Sequence, residues 1–175
     1  DAYAHRVKDR IVSVPYTLYV WRTLNMGRVE ARGLDATLSS RWQLARSWAL
    51  TAAANYSLQR VADRTAAGSD TYGNQLAYTP RHSGAASLDC ETPWIALCAH
   101  VSFASTRWST NEHLPTTQLP AYAEWGLSVR RSLSWSSLRL DLRADWLNVT
   151  NRHYEIVRRY PMPGRAYSLT ARLHF

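Results

Sequence analysis

A strict period of two in residue polarity is the feature that most limits how this chain can fold. The period is clearest in the segment SLRLDLRADW, residues 137–146. A strand places alternate side chains on opposite faces, whereas a helix would spread the same apolar residues around its circumference. The pattern therefore predicts a β-strand with one apolar and one charged face. The apolar positions are Leu138, Leu140, Leu142, Ala144 and Trp146, and the charged positions are Arg139, Asp141, Arg143 and Asp145.

Less regular alternation elsewhere extends this prediction to about eight strands. Short connections, QLAR, ETP and SLSW, are interleaved with long ones at about 15–26, 61–79, 107–119 and 150–164. Short turns at one end of an antiparallel sheet and long loops at the other are typical of outer-membrane barrels. We therefore predict an all-β fold, an antiparallel up-and-down transmembrane β-barrel segment. Its strands are expected at about 3–14, 27–42, 47–60, 80–90, 94–106, 120–132, 136–149 and 165–175.

The aromatic residues support the same fold. The chain has eight Trp and ten Tyr but only two Phe, a set rich in rings that carry a polar group. Such rings favour the two interfaces between a bilayer and water. Seven of the eight tryptophans fall at two levels, one at each end of the predicted strands. Trp42, Trp48, Trp94 and Trp135 flank the short turns, and Trp108, Trp125 and Trp146 lie toward the long loops.

Charge, cysteine and histidine patterns argue against several other functions. The formal charge of +8 is scattered along the chain, so we do not expect nucleic-acid binding. Cys90 and Cys98 lack a second pair and a ligand histidine, which argues against zinc and leaves a disulfide or two free thiols open. The histidines match no catalytic motif, and Asp141 and Asp145 alternate with arginines as in a salt-bridge ladder. We expect no enzymatic activity, no cofactor and no metal.

The long loops hold the candidate ligand contacts. Arginine and aromatic side chains suit an anionic or large planar ligand, such as a ferric chelate, haem or a corrinoid. The alternative is that these residues are solvated or contact lipopolysaccharide. The candidates are Arg107, Trp108 and His113 in one loop and Arg158, Arg159 and Tyr160 in another.

The closing region, DWLNVTNRHYEIVRRYPMPGRAYSLTARLHF, resembles the end of TonB-dependent outer-membrane receptors. Two earlier segments, NMGRVEARGLDATLS and YTPRHSGAASL, are also similar to strands of that family, although Asp35 replaces the usual Glu. The vitamin B12 and siderophore branches are both similar at the last loop. The positions that carry the resemblance at the end are Asn148, Asn151, Tyr154, Gly164, Arg165, Tyr167 and Phe175.

The resemblance implies a fold and a function. Residues 1–175 would be the C-terminal portion of the receptor barrel, the last eight of 22 strands, with the plug domain absent. The expected function is part of a TonB-dependent active transporter for a ferric siderophore, haem or cobalamin, in the bacterial outer membrane. The implied partners are the remaining strands and plug, the TonB complex through the missing N-terminal part, the barrel-assembly machinery and outer-membrane lipid.

The last strand ends on a bare aromatic ring. Its alternation resembles the signal that the barrel-assembly machinery reads in outer-membrane proteins. The alternative is that these residues form only one apolar face of a sheet. They are Tyr167, Leu169, Ala171, Leu173 and Phe175.

Two other architectures remain open from the sequence. Eight strands can close into a self-contained outer-membrane barrel of structural or adhesive type. A soluble lipocalin-like binder would instead turn its apolar faces inward around a small ligand. The three architectures differ in whether the sheet closes and in which face is concave.

Overall fold

The computed structural model describes residues 1–15, 20–136 and 138–175, and eight long strands form one antiparallel sheet. These strands follow one another in the sheet in chain order, each paired with the next. The predicted eight-stranded up-and-down architecture is thus confirmed. The strands are β1 (Ala2–Pro15), β2 (Trp21–Ala45), β3 (Trp48–Asp63), β4 (His82–Glu91), β5 (Ala96–Ala104), β8 (Tyr122–Trp135), β9 (Leu138–Leu147) and β12 (Ala166–His174).

Short elements lie within the long connections. The pair β6 (Arg107–Trp108) and β7 (Gln118–Leu119) forms one small hairpin, and β10 (Glu155–Val157) and β11 (Tyr160–Pro161) form another. A 3₁₀ turn covers Pro115–Thr117. Among the described residues, no helix has the length and apolar character needed to cross a membrane.

Two predicted connections are wrong. Residues 21–26 pair with residues 10–15, so the long loop expected at about 15–26 is mostly strand. The β-branched residues of the segment IVSVP favour such an extension. The expected turn SLSW is the end of β8, because Leu133 and Trp135 continue the apolar face and pair with Leu140 and Leu138.

The strand register collects the apolar residues on one face across the whole sheet. One continuous row across the strands consists of Ala52, Leu88, Ala99, Leu127, Trp146 and Tyr167. This face is open, with Leu38 72% and Leu169 79% exposed. The adjacent row on the opposite face is mainly polar, and it consists of Thr51, Asp89, Cys98, Ser128, Asp145 and Ser168.

The polar face is the concave one. It encloses a cavity of about 1100 Å³ near the short turns, whose lining includes Arg41, Glu91, Arg130, Asp141 and Arg143. The apolar side chains therefore point away from the enclosed space. The lipocalin-like alternative, which needs those side chains inside, is wrong.

The predicted ladder of charges along β9 is confirmed. Arg139 contacts Asp141 at 3.0 Å, and Arg143 contacts Asp145 at 2.8 Å. Further pairs on the concave face reach across one intervening strand, Arg130 of β8 to Asp89 of β4 at 3.1 Å and Arg41 of β2 to Glu91 of β4 at 2.6 Å. These pairs neutralise part of the charge on the concave wall.

The two cysteines lie on opposite faces of the sheet. Cys90 is level with Leu97 in the apolar layer, whereas Cys98 is level with Asp89 in the polar layer. Both thiols are free. A disulfide across the turn is excluded, because the two side chains point in opposite directions.

The sheet does not close on itself. Among the described residues, no register joins β1 to β12, which are the two edges. The self-contained eight-stranded barrel therefore lacks support in the strand pairing.

The glycine at position 84 is required by close strand packing. A Cβ atom there would lie 2.5 Å from the backbone oxygen of Asn55 and 3.0 Å from the ring of Phe103. We expect Gly84→Ala to lower the free energy of unfolding by about 1–3 kcal/mol, since backbone atoms would have to move. Urea unfolding of the protein in detergent micelles measures the change. Gly68→Ala is the control, because nothing lies within 4 Å of its Cβ position. Equal effects of the two substitutions would contradict the packing argument.

Candidate functional site

The three long connections form one hydrogen-bonded layer over the long-loop end of the sheet. This loop layer comprises residues 64–81, 105–121 and 148–165. Asn111 joins the first two, because its Oδ1 accepts from the Ala77 N–H at 2.7 Å and its backbone oxygen accepts from Asn74 Nδ2 at 3.0 Å. The Tyr78 N–H also donates to the Trp108 oxygen at 2.7 Å. The loops are thus built as one unit.

A small apolar core fastens the loop layer to the sheet. Val29 of β2, Val61 of β3 and Leu76 of the first loop pack together and are buried. Beside them, Gln75 Oε1 accepts from the Val61 N–H at 3.1 Å. The first loop therefore returns onto the concave face near its upper rim.

Arg107 is the buried cation of the loop layer. It is only 4% exposed and donates through Nη2 to the backbone oxygen of Glu155 in the third loop. The guanidinium carbon lies 5.3 Å from the centroid of the Tyr122 ring. Nη1 is buried and has no hydrogen-bond partner among the described residues. Burial lowers the pKa of Arg107, although an arginine stays protonated.

A tyrosine cluster surrounds this guanidinium. Tyr122 stacks on Tyr154 with 4.1 Å between ring centroids, and the Tyr154 hydroxyl donates to the carboxylate of Glu124. Burial, and secondly the Glu124 carboxylate, raise the pKa of Tyr154. Burial likewise raises the pKa of Tyr78. Both hydroxyls therefore remain neutral donors at physiological pH.

Arg107, Tyr78 and Tyr122 line a cavity of about 360 Å³ on the concave side, just below the loop layer. Asn55 and Ser102 add polar groups to the same lining. An unpaired guanidinium N–H beside aromatic rings can bind an anionic oxygen strongly, because the site is desolvated. We call this the Arg107 cavity. It can hold part of an anionic ligand that also contacts the open lumen.

The asparagines of the closing motif shape the third loop. Asn148 is 2% exposed, and its side chain accepts from the Arg152 N–H and donates to the Arg152 and Pro163 oxygens. Asn151 Oδ1 accepts from the Arg165 N–H at 2.9 Å. Both residues have positive φ angles, which asparagine tolerates better than most residues. The motif thereby holds the loop that carries Tyr154.

The structure brings only one of the six loop candidates into the cavity. Arg107 lines it, whereas Trp108 and His113 stack on each other at 4.7 Å inside the loop layer. Trp108 lies toward the long loops as expected, but its ring packs against His113 within the loop layer. The third-loop candidates lie at the tip of the β10–β11 hairpin, with Arg158 half-buried and Arg159 and Tyr160 exposed.

Sequence reasoning missed Tyr78 and Tyr122 as cavity residues, and it missed Glu124 and Tyr154 as the pair beside Tyr122. Tyr122 and Glu124 occupy polar-face positions of β8. Assigning the residues of this strand to its two faces would therefore have identified them. Tyr78 has no such signal, because it lies in a loop. Across the described parts of the chain, no cluster of three or more His, Cys, Asp or Glu side chains is arranged to hold a metal.

Tyr167, Leu169, Ala171 and Leu173 of the last strand face the convex side. They lie level with the apolar positions of β9, for example Leu169 with Ala144 and Leu173 with Leu140. Tyr167 is 71% exposed and Phe175 is fully exposed. Trp146 stacks on Tyr167 with 5.8 Å between ring centroids, which extends the aromatic level to the sheet edge.

Comparison with protein families gives one match. Residues 1–151 match the family described as TonB dependent receptor-like, beta-barrel. Comparison with curated protein sequences gives no match.

Several solved structures have the same fold. The ferric preacinetobactin receptor BauA from Acinetobacter baumannii superposes with a TM-score of 0.73 and 16% identity, covering 97% of this chain and 26% of that receptor. The siderophore receptor PiuA from the same organism gives 0.71 and 14%, with coverages of 97% and 25%. A mutant of the ferric enterobactin receptor PfeA from Pseudomonas aeruginosa gives 0.67 and 20%, with coverages of 98% and 27%. The chain therefore spans about a quarter of the length of these receptors.

The raised pKa of Tyr154 predicts how the folding stability changes at alkaline pH. Its folded pKa lies above the ordinary value of 10.0, so the unfolded chain loses this proton first. The stability that the hydroxyl contributes is complete below about pH 10 and is lost as the pH rises toward the folded pKa. We expect Tyr154→Phe to be about 1 kcal/mol less stable at neutral pH. It should also lose less stability than the wild type above about pH 10.

Urea unfolding at a series of pH values measures both effects. Tyr160→Phe is the matched control, because Tyr160 is an exposed tyrosine of the same connection. Identical alkaline slopes for the wild type and Tyr154→Phe would show that this hydroxyl is not protected by folding.

Proposed function

Because the chain belongs to the TonB-dependent receptor β-barrel family, we propose that it forms part of an outer-membrane receptor that takes up a ferric siderophore. The solved structures of the same fold include receptors for ferric preacinetobactin and ferric enterobactin. The family is one of transport receptors, and we assign no chemical step on the ligand to this chain.

The observation that carries the proposal is the division of the sheet into an apolar convex face and a charged concave face. An apolar convex face is the arrangement a lipid bilayer requires of a barrel wall. The charged concave face suits a hydrated lumen, where exposed ion pairs have little desolvation cost. The two aromatic levels fit the two bilayer interfaces, with Trp48 against Trp94 at one end and Trp146 against Tyr167 at the other.

We place residues 1–175 as the C-terminal portion of the barrel, the last eight strands of a larger closed wall. The edges at β1 and β12 have backbone groups that need partner strands in a hydrocarbon environment. The remaining strands of the same receptor would supply these partners. The convex face of β12, from Tyr167 to Phe175, would be read by the barrel-assembly machinery before closure and would contact lipid afterwards.

The plug of the receptor would occupy the concave side. The cavity near the short turns is rich in arginine. Its lining holds more arginines than carboxylates, so several arginines have no carboxylate in the lining to pair with. We therefore expect the facing plug surface to carry carboxylates. The TonB complex would act on the receptor through that N-terminal part. The arginines are Arg41, Arg46, Arg130, Arg131, Arg139, Arg143 and Arg172.

The Arg107 cavity favours an anionic iron chelate among the nutrients considered. Its unpaired donor is cationic and desolvated, which selects a carboxylate or phenolate oxygen over a neutral amide. Tyr78 and Tyr122 add ring surface for a planar chelating group. Haem and cobalamin remain less favoured ligands, because nothing in the cavity is specific to a macrocycle. Arg158, Arg159 and Tyr160, at the hairpin tip, would meet the ligand first.

Arg107→Gln tests the ligand proposal. We expect about 10-fold to 100-fold weaker binding of an anionic ferric chelate by the whole receptor, the loss typical of one charge-assisted hydrogen bond. Quenching of tryptophan fluorescence on titration with the chelate measures the affinity. Arg152→Gln is the control, since Arg152 is exposed in the same loop layer.

Thermal unfolding of both variants separates ligand contact from a folding defect. Arg107→Lys, which keeps the charge, should bind more tightly than Arg107→Gln. An unchanged affinity in Arg107→Gln, or an equal loss in Arg152→Gln, would contradict the proposed contact.

A further inference from the structure

A cluster of cationic residues lies on the convex face of β1, β2 and β3, on the long-loop side of the apolar surface. Arg32 and Arg60 are level with each other, and each lies two residues from a leucine of the apolar surface, Leu34 in β2 and Leu58 in β3, on the long-loop side. Arg6 and Lys8 continue the cluster on β1, and Arg28 continues it on β2. With Arg64, which follows β3, these residues are the basic patch. Its members are Arg6, Lys8, Arg28, Arg32, Arg60 and Arg64.

The patch contains one carboxylate. Glu30 contacts Arg32 at 2.8 Å, Arg64 at 3.4 Å and Arg6 at 3.6 Å. The Glu30 side chain is only 18% exposed, whereas those of Arg6 and Arg32 are 67% and 68% exposed. One shielded anion therefore serves three guanidiniums, and their outer surfaces stay open. In the described chain, the ion pairs do not include Lys8, Arg28 or Arg60.

The near edge of the patch, formed by Arg32 and Arg60, matches the depth of lipid headgroups, and Arg28 lies four residues farther along β2. A strand advances about 3.3 Å per residue, so Arg32 and Arg60 lie roughly 6–7 Å along the strand from the last leucines of the apolar surface. The headgroup region is about 5–8 Å thick on each side of the hydrocarbon. The patch therefore begins where acyl chains end. At the same end of the sheet, β8, β9 and β12 carry Trp125, Trp146 and Tyr167 instead, so the basic patch is local.

We propose that the basic patch binds the phosphate groups of lipid A in the outer leaflet. Guanidiniums bind phosphate in bidentate geometry, and a cluster of like charges is stabilised when an anion lies among them. Lipid A fits better than free phosphate because its acyl chains can lie on Leu34, Leu38 and Leu58 while its phosphates reach the patch. This inference rests on the proposed function, which places the convex face in the membrane.

The test uses the whole receptor in micelles of a neutral detergent, with bis-phosphorylated lipid A as the probe. Native mass spectrometry counts the bound lipid. The variant is Lys8→Gln with Arg28→Gln and Arg60→Gln, because these cations can be removed without breaking an ion pair of Glu30. We expect it to retain lipid A at least about tenfold more weakly than the wild type, since each cation beside an anionic headgroup contributes a several-fold factor.

Two matched variants make the result specific. The first variant removes the same charge from exposed positions outside the patch, by Arg46→Gln, Arg131→Gln and Arg152→Gln. It should bind lipid A like the wild type. Arg28→Lys with Arg60→Lys keeps the patch charge and should also retain lipid A. Equal loss in the first variant, or loss in the second as large as in the Gln variant, would overturn the proposal.

Two further probes identify the ligand group. Lipid A without phosphates should bind equally to the wild type and to the patch variant. Inorganic phosphate at the concentration of the lipid should not displace lipid A. Displacement would show a site for free phosphate and would overturn the lipid proposal. The proposal would also be overturned if the wild type bound lipid A equally well with and without its phosphates.

Quenching of tryptophan fluorescence by nitroxide-labelled acyl chains separates this proposal from the one on which it rests. Quenching without a preference for phosphorylated lipid A would overturn only the proposal that the basic patch binds lipid A. Absence of quenching would overturn the membrane placement itself.

Discussion

Every structural feature of this chain depends on strands that satisfy their backbone hydrogen bonds only through neighbouring strands. In hydrocarbon, an unpaired N–H or C=O group costs several kcal/mol, so a membrane wall must be a continuous ladder. The eight long strands form such a ladder in chain order. Once the ladder is fixed, the two-residue period decides which side chains lie on the convex face and which lie on the concave face.

The same constraint builds the candidate site. Because β8 alternates, Tyr122 and Glu124 must lie on the concave face, where the third loop brings Tyr154 against both. Arg107 then lies between the Tyr122 ring and the third loop, and one of its donors stays unpaired. A desolvated cation with a free N–H attracts anions, whereas the arginines of the concave wall below it are exposed and part of their charge is neutralised in ion pairs. The site is thus distinguished by a buried guanidinium N–H that has no partner among the described residues.

Local pattern predicted the sheet but not the loop layer. Alternation in β9 fixed the faces of Leu140 and Asp141, because a strand's period is a property of the local sequence. The loop contacts have no period. Asn111 bonds Ala77 across 34 residues, and Arg107 bonds Glu155 across 48. Arg107 was predicted as a ligand contact from its residue type, but its burial and its tyrosine neighbours depend on these long-range bonds. The extension of β1 and β2 was missed because that segment lacks the clean alternation found in β9.

The most direct test of this account is spin-label scanning of residues 139–146 in the receptor reconstituted into lipid vesicles. Each label's collision rates with oxygen, which concentrates in the bilayer, and with a water-soluble nickel chelate report its surroundings. We predict a period of two, with high oxygen access at Leu140, Leu142 and Ala144 and high nickel access at Asp141, Arg143 and Asp145. A uniform profile, or one with the two sets exchanged, would contradict the account.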